Sequence, residues 1–227
     1  KNYYADSPWE LMMETIAHNP DNVQPFDNFL ADAASGELPN FAFINPRGGI
    51  NLTTRLGSND MHPDHDAALA EAFYKQVYEA LRQGPAWNRT LFILTFDEHG
   101  GFYDHVAPPS EGIPAPDDHP SVPDFYFKFD RLGIRIPTLL ISPYTPKGVV
   151  VNRPPPEQMP TNTSEYDLTS IMATVRKLFN MSSPPLTRRD AWVATFEHVF
   201  NISTPRDDCP WELVAAPPPT YDSTDLE

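Results

Sequence analysis

The sequence predicts an α/β fold with a parallel-sheet core and long Pro-rich loops. Three observations carry this. A stretch with helical period, residues 66–83, is followed closely by the near-continuous apolar run Thr90-Leu-Phe-Ile-Leu-Thr-Phe96. A helix followed by a strand apolar on both faces is the pattern of a parallel sheet covered by helices. A second run of the same kind spans residues 134–142. Finally, 27 of the 227 residues are proline. That is roughly 12%, against a usual ~5%, and it demands many loops and extended segments.

The elements follow in chain order. Residues 1–40 read as helical pieces and loops. Ser7 and Pro8 start a helix that carries Trp9, Leu11, Met12, Thr15 and Ile16, with Pro at a first-turn position where its missing N–H costs nothing. Pro25 opens a second helix with Phe26, Phe29 and Leu30 at helical spacing, and Gly36 and Pro39 close it. The apolar run 41–45, bounded by Pro39 and Pro46, is a buried strand. Residues 47–65 lack periodicity and carry Gly48, Gly49, Gly57, Asn59 and Asp60, so they form a loop. Asp66 caps the next helix. Its Leu69, Phe73, Val77 and Leu81 recur every four residues beside Ala72 and Ala80, and Gly84-Pro85 stops it. The strand 90–96 should be buried on both faces. Residues 107–130 are an acidic, Pro-rich loop. The strand 134–142 tolerates Pro137 near its start. After a Pro-rich loop at 152–163, residues 164–179 form a helix with Leu168, Ile171, Met172, Val175, Leu178 and Phe179 inward. A domain over residues 1–204 is thus followed by a Pro-rich acidic tail, 205–227.

Composition excludes several functions. Lys and Arg number 16 against 31 Asp and Glu, a net charge of −15. A nucleic-acid binder needs a basic footprint to displace phosphate counterions, so no nucleic-acid partner is expected. A polybasic membrane anchor is excluded likewise, and no apolar run approaches the roughly 18 residues of a spanning helix. One cysteine, Cys209, allows no internal disulfide framework. Five of thirteen asparagines stand in N-x-S/T sequons: Asn51, Asn88, Asn162, Asn180 and Asn201. This is more than turn chemistry alone supplies, and it places the chain on the secretory route as a glycoprotein.

Two constellations carry chemistry. Asp97 and Glu98 stand at the C-terminal end of a core strand, the edge at which open parallel sheets bind ligands. Consecutive strand residues point to opposite faces, so the two carboxylates converge only if the chain turns there. Gly100 and Gly101 permit that turn, and His99 and His105 flank it. Paired carboxylates suit a hard divalent metal. Read alone, the pair is equally a solvated acidic loop. The second constellation is Met61-His62-Pro63-Asp64-His65-Asp66, ahead of a helix start. Free N–H groups there favour anions, and a histidine there can donate a proton to a leaving oxygen. Read alone, Asp66 is equally a plain N-cap beside surface histidines. His18, His119 and His198 lack such a setting. Ser142-Pro143 ends a strand with no base near it in sequence, which gives Ser142 a turn role. No Gly-x-Ser-x-Gly elbow, cysteine metal spacing, His-Glu-x-x-His or phosphate-binding loop is present.

Taken together, these segments resemble a known family. They are Asp97-Glu98-His99-Gly100-Gly101-Phe102-Tyr103-Asp104-His105-Val106 with Pro108-Pro109, His62-Pro-Asp-His65-Asp66, Val77-Tyr-Glu-Ala-Leu-Arg82, the run from Phe127 to Pro137, Ile141-Ser-Pro143, Ser164-Glu-Tyr166, Ala173 to Phe179, Arg189-Asp-Ala-Trp192 and Thr195-Phe-Glu197. Over about residues 38–197 they resemble the phosphoesterase family of non-specific phospholipases C and related acid phosphatases. The resemblance implies an alkaline-phosphatase-like core, here its C-terminal portion, and phosphoester hydrolysis through a phospho-enzyme with one divalent metal ion. It implies Asp97 and Glu98 as metal ligands, His62 as the histidine nearest the leaving group and His65 as its helper.

Two departures qualify this expectation. Family members are about twice this length, and their N-terminal half supplies a Glu-Asn metal pair and a Thr or Ser nucleophile. That half is therefore the expected partner of this chain. Thr95, internal to a strand, does not replace the nucleophile. In addition, Leu168 stands where the family has a histidine. If that histidine serves catalysis the protein is impaired; if it only packs the site, little changes. The expected function is phospholipase C-like release of diacylglycerol and a phosphorylated head group. The alternatives are a secreted acid phosphatase acting on soluble monoesters and an inactive secreted glycoprotein relative.

Overall fold

The computed structural model describes residues 1–5, 13–48, 57–63, 65–118 and 127–220. The expected helix start at Ser7, the sequon at Asn51 and His119 lie outside the described residues. The described chain packs as two compact units, residues 1–92 with 206–227 and residues 93–205.

The first unit holds a parallel sheet. Strand β1 (Asn2–Tyr4) is central, between β2 (Val23–Pro25) and β3 (Phe43–Asn45), with Tyr3 opposite Gln24 on one side and Ile44 on the other. Strands β1 and β2 correct the expectation of only helices and loops before residue 40. At three residues each they are too short to show an alternation. Helix α1 (Met13–His18) lies between them. Helix α2 (Phe26–Ser35) starts and ends where Pro25 and Gly36 predict. The fully buried Tyr3 and Phe29 meet edge to face at 5.5 Å, and Phe26 bridges Phe29 to Phe73. The Tyr3 hydroxyl donates to Asp32 at 2.5 Å, and burial together with this carboxylate pushes its pKa up.

Helix α3 (Ala67–Gln83) is the long amphipathic helix of this unit. Asp66 is its N-cap, accepting from the Ala68 N–H at 2.9 Å, and Phe73, Val77, Tyr78 and Leu81 face inward. Gly84 ends it where α2 passes closely. A Cβ at Gly84 would stand 2.5 Å from the Ala33 carbonyl oxygen, so only glycine fits. The Pro-rich segment expected to be tail-like lies along α3. The Tyr78 hydroxyl donates to the Pro210 carbonyl at 2.6 Å, Arg82 Nε to that of Cys209 at 3.2 Å, and Lys75 Nζ to that of Leu213 at 2.8 Å. Glu79 accepts from the Leu213 N–H at 2.8 Å, and the Arg82 guanidinium lies over the Trp211 ring. Four helix side chains thus satisfy the backbone of a segment with no ladder of its own.

In the second unit, β4 (Phe92–Thr95) pairs with β5 (Thr138–Ile141), which begins directly after Pro137. Burial on both faces was expected for the strands, and the structure corrects this. Every residue of β4 is half-buried, Leu139 of β5 is 47% exposed, and Phe43 of β3 is 51% exposed. An apolar run records what a strand tends to bury; the described residues cover only part of it.

Helix α4 (Thr169–Leu178) is shorter than the expected 164–179. Ser164 is used elsewhere. Its fully buried hydroxyl donates to the Trp192 carbonyl and accepts from the Thr161 N–H. Asp167 then accepts from the Thr169 N–H and hydroxyl, which sets the first turn. The inward face is also corrected. Ser170, Ala173 and Thr174 are buried, whereas Leu168, Met172, Leu178 and Phe179 are exposed. The cause is α5 (Arg188–Trp192) and the buried segment after it, which dock on the small-residue side of α4. There Thr174 accepts from the Phe196 N–H, and Ala173 joins Ile113, Trp192, Val193 and Leu132 in the core. These parallel strands with their covering helices give the chain an α/β architecture.

Candidate active site

Asp97 and Glu98 follow β4 after Phe96, both exposed at its C-terminal end. The expected turn is present. Gly100 and Gly101 both have left-handed backbones, φ 68° and 73°, a pairing that only glycine adopts freely. The Phe102 N–H donates to the His99 carbonyl at 3.2 Å and closes the turn. Asp97 Oδ1 accepts from the Glu98 N–H at 3.0 Å, and Glu98 Oε2 lies 3.7 Å from His99 Nδ1.

Beyond the turn, Asp104 is gripped by Arg135 through two parallel bonds of 2.7 and 2.8 Å, and it also accepts from the Val106 N–H. The guanidinium, and secondarily the amide, hold its carboxyl down to about 2. This pair ties the far end of the acidic turn to the chain entering β5. Sequence reading missed it, because 31 residues separate the partners. His105 is highly exposed, with its Nδ1 3.6 Å from Asp104 Oδ1. Thr95 is the last residue of β4 rather than internal to the strand as expected, because β4 stops at residue 95 and not at 96, and its hydroxyl lies 2.7 Å from that of Thr138. Ser142 is buried in a turn, accepting at its carbonyl from Thr145 and at its hydroxyl from the Tyr144 N–H.

In the first unit, the structure brings His62 and His65 together, ring centroids 5.3 Å apart. A short turn makes this possible, the His65 N–H donating to the His62 carbonyl at 2.9 Å. His65 Nδ1 is 2.5 Å from Asp60 Oδ1, and His62 Nδ1 is 3.0 Å from the Pro63 carbonyl oxygen. A carboxylate and a carbonyl can only accept, so both histidines carry their proton on Nδ1. Each Nε2 is then the unprotonated nitrogen of the neutral ring. Asp60 is the second residue that sequence reading missed. It looked like one more polar residue of an aperiodic loop. Downstream, Asp66 also accepts from the Thr220 hydroxyl at 2.7 Å, which joins the end of the strap along α3 to this helix start.

Asp97 and Glu98 offer the hard oxygen donors that divalent ions take, at an exposed strand end. Among the described residues no group of three or more His, Cys, Asp or Glu gathers as a ligand set. Of the sequon asparagines, Asn88, Asn162, Asn180 and Asn201 are all exposed. Leu168 is exposed at the N-cap of α4. Among the described residues no helix is long and apolar enough to cross a membrane.

Comparison with known proteins extends the resemblance toward the N-terminus. Non-specific phospholipase C6 of Arabidopsis thaliana is 50% identical over 199 residues, 87% of this chain and 37% of that protein. Non-specific phospholipase C1 of the same plant is 49% identical over 187 residues, 82% of this chain and 34% of the relative. Phospholipase C B of Mycobacterium tuberculosis is 30% identical over 191 residues, 80% and 33%. The chain spans about a third of the length of the curated relatives it matches. The pattern of the Phosphoesterase family matches residues 1–182, beginning well before the expected residue 38 and ending short of residue 197, and the chain belongs to this family.

Proposed function

We propose that this chain forms part of a metal-assisted phosphoester hydrolase of the phospholipase C type, which cleaves phospholipids to diacylglycerol and a phosphorylated head group. The observation that carries the reading is the 50% identity, over 87% of this chain, to a non-specific phospholipase C. The turn after β4 supports it, with two exposed carboxylates at the sheet edge where ligands bind.

In this reading Asp97 and Glu98 hold a divalent ion together with donors from the portion of the relatives' length that this chain does not span. When bound, the ion supplies Lewis-acid neutralisation of charge on the phosphoryl oxygens. A hydroxyl from that same portion forms the new bond to phosphorus as the bond to the diacylglycerol oxygen breaks. His62, protonated, gives its Nε2 proton to the departing oxygen, an assistance worth about 10²–10⁴-fold. Water then bonds to phosphorus as the bond to the enzyme's hydroxyl oxygen breaks, its proton passing to the now neutral Nε2 of His62 with His65 as helper. The turn at Gly100 and Gly101 holds the carboxylates at the strand end, and the Arg135–Asp104 pair anchors its far side. The exposed sequons suit a glycoprotein of the secretory route.

The test is diacylglycerol release from phosphatidylcholine vesicles by the full-length protein, with p-nitrophenyl phosphate as the soluble monoester control. Release should vanish in Asp97→Asn and Glu98→Gln and on chelation, and His62→Ala should lose about 10²–10⁴-fold. Full turnover by Asp97→Asn would sink the metal assignment. Activity confined to the monoester would replace the phospholipase reading by a phosphatase.

A further inference from the structure

We infer that Asp60 is a positioning residue for the histidine pair, acting through His65. The inference rests on the reading of His62 and His65 as the proton carriers, and it assigns a role to a residue outside that pair. Three observations converge. Asp60 Oδ1 lies 2.5 Å from His65 Nδ1, within hydrogen-bond distance of one ring nitrogen only. The same oxygen accepts from the His62 N–H at 3.4 Å, so one carboxylate touches both histidine residues. Both members of the Asp60–His65 pair are largely shielded, with side chains 18% and 27% exposed, whereas His62 is exposed.

The chemical consequence follows from what a carboxylate can do. It accepts and never donates when ionised, so it selects the tautomer with hydrogen on Nδ1 and leaves Nε2 as the exchanging atom. It also fixes the ring plane. The His65 ring then stands at 44° to that of His62. His62 obtains the same tautomer from the Pro63 carbonyl, which is backbone and cannot be lost by side-chain change. Of the two histidines, only His65 depends on another side chain for its tautomer. A carboxylate that orients an imidazole is the third member of many hydrolytic sites, where its amide analogue permits the wrong tautomer and lowers turnover by orders of magnitude. Here it is reached from five residues away, through the turn that Pro63 helps to form.

The experiment uses the full-length protein labelled with ¹⁵N-histidine. Long-range ¹H–¹⁵N correlation spectra read the tautomer of each ring directly, and phosphatidylcholine hydrolysis reads turnover. In the unsubstituted protein, at a pH where the rings are neutral, both His62 and His65 should show the Nδ1–H pattern. In Asp60→Asn, His65 should become a tautomer mixture while His62 keeps its pattern, and kcat should fall about 10- to 1000-fold with KM little changed. A merely structural role would move neither the His65 pattern alone nor kcat without KM. The inference is overturned if His65 in the unsubstituted protein carries its proton on Nε2. It is overturned equally if Asp60→Asn leaves the His65 pattern intact, or shifts it with turnover unchanged. The spectral arm needs no catalysis. If His62→Ala and His65→Ala retain full turnover, the histidine mechanism fails while the spectra still report the Asp60 bond.

Discussion

Removing the Asp190 carboxylate should unfold the second unit more readily than any other single polar change there. Asp190 on α5 receives both ends of the Arg176 guanidinium from α4, Nη2 to Oδ1 at 3.0 Å and Nη1 to Oδ2. Its Oδ2 also accepts from the Leu186 N–H at 2.7 Å. The Asp190 side chain is buried, 3% exposed, and that of Arg176 is largely shielded at 14%. Deleting one member of such a pair strands the other charge without solvent, at a cost of about 3–5 kcal/mol. The Leu186 N–H, on a residue 76% exposed, can turn to water and adds little. Asp190→Ala should therefore lose at least about 3 kcal/mol in urea unfolding followed by tryptophan fluorescence, for which Trp192 is a neighbouring reporter. Arg176→Met alone should cost a comparable amount. The double variant should lose less than the sum of the two, by about 0.5–3 kcal/mol, because neither charge is then left alone. A loss under about 1 kcal/mol for Asp190→Ala, or strict additivity in the cycle, would refute the reasoning.

Further outcomes follow from the same coordinates. Gly84→Ala should destabilise the first unit by about 1–3 kcal/mol in thermal or urea unfolding, because its Cβ would meet the Ala33 carbonyl oxygen at 2.5 Å. Asp104 has its folded pKa lowered to about 2 by Arg135, so the stability it contributes is present above the ordinary carboxylate pKa and fades as pH falls toward about 2. Arg135→Met should raise the Asp104 titration midpoint toward the ordinary value in carboxyl NMR and shift acid unfolding to higher pH. Trp211→Ala, which removes the ring under Arg82, should cost about 0.5–1 kcal/mol and speed amide exchange at Leu213, whose N–H is held by Glu79. Thr220→Val should loosen the start of α3, seen as faster exchange of the Ala68 amide, since Asp66 would lose its hydroxyl partner.

What the sequence revealed and what it hid divide along a physical line. Local signals were legible. Pro25 and Gly36 bound α2, Asp66 and Gly84 bound α3, and Pro137 sets the start of β5, because each acts on its own backbone. The twin glycines foretold the turn after β4 for the same reason. Partners distant in sequence were not legible. Asp104 with Arg135, the segment 209–213 with α3, and Thr220 with Asp66 are each set by the fold, and nothing in the spacing announces them. Asp60 is the intermediate case. It lies only five residues from His65, yet aperiodic loops have no geometric period from which such a contact could be read.

The errors about burial share one cause, and it bears on function. Periodicity reports which side chains are apolar. It does not say what covers them. On α4 the apolar residues Leu168, Met172, Leu178 and Phe179 are exposed because the tightly packed neighbour, Trp192 to Phe196, chose the side of Ser170, Ala173 and Thr174, where small side chains permit close approach and Thr174 can satisfy the Phe196 N–H. The same holds for Phe43 on β3 and Leu139 on β5. Apolar surface is thus left on a helix and on strand residues of both units, and burying a large side chain there in full would gain about 1.5–3 kcal/mol. Under the proposed function, such surface is where the part of the relatives' length that this chain does not span would pack. This links the fold to the proposed chemistry. The portion that would cover these faces is also the portion called on for the nucleophile and the remaining metal donors. Adding it should therefore protect Leu139 and Phe43 from solvent and restore hydrolysis in the same titration, and protection without hydrolysis would direct attention to Leu168.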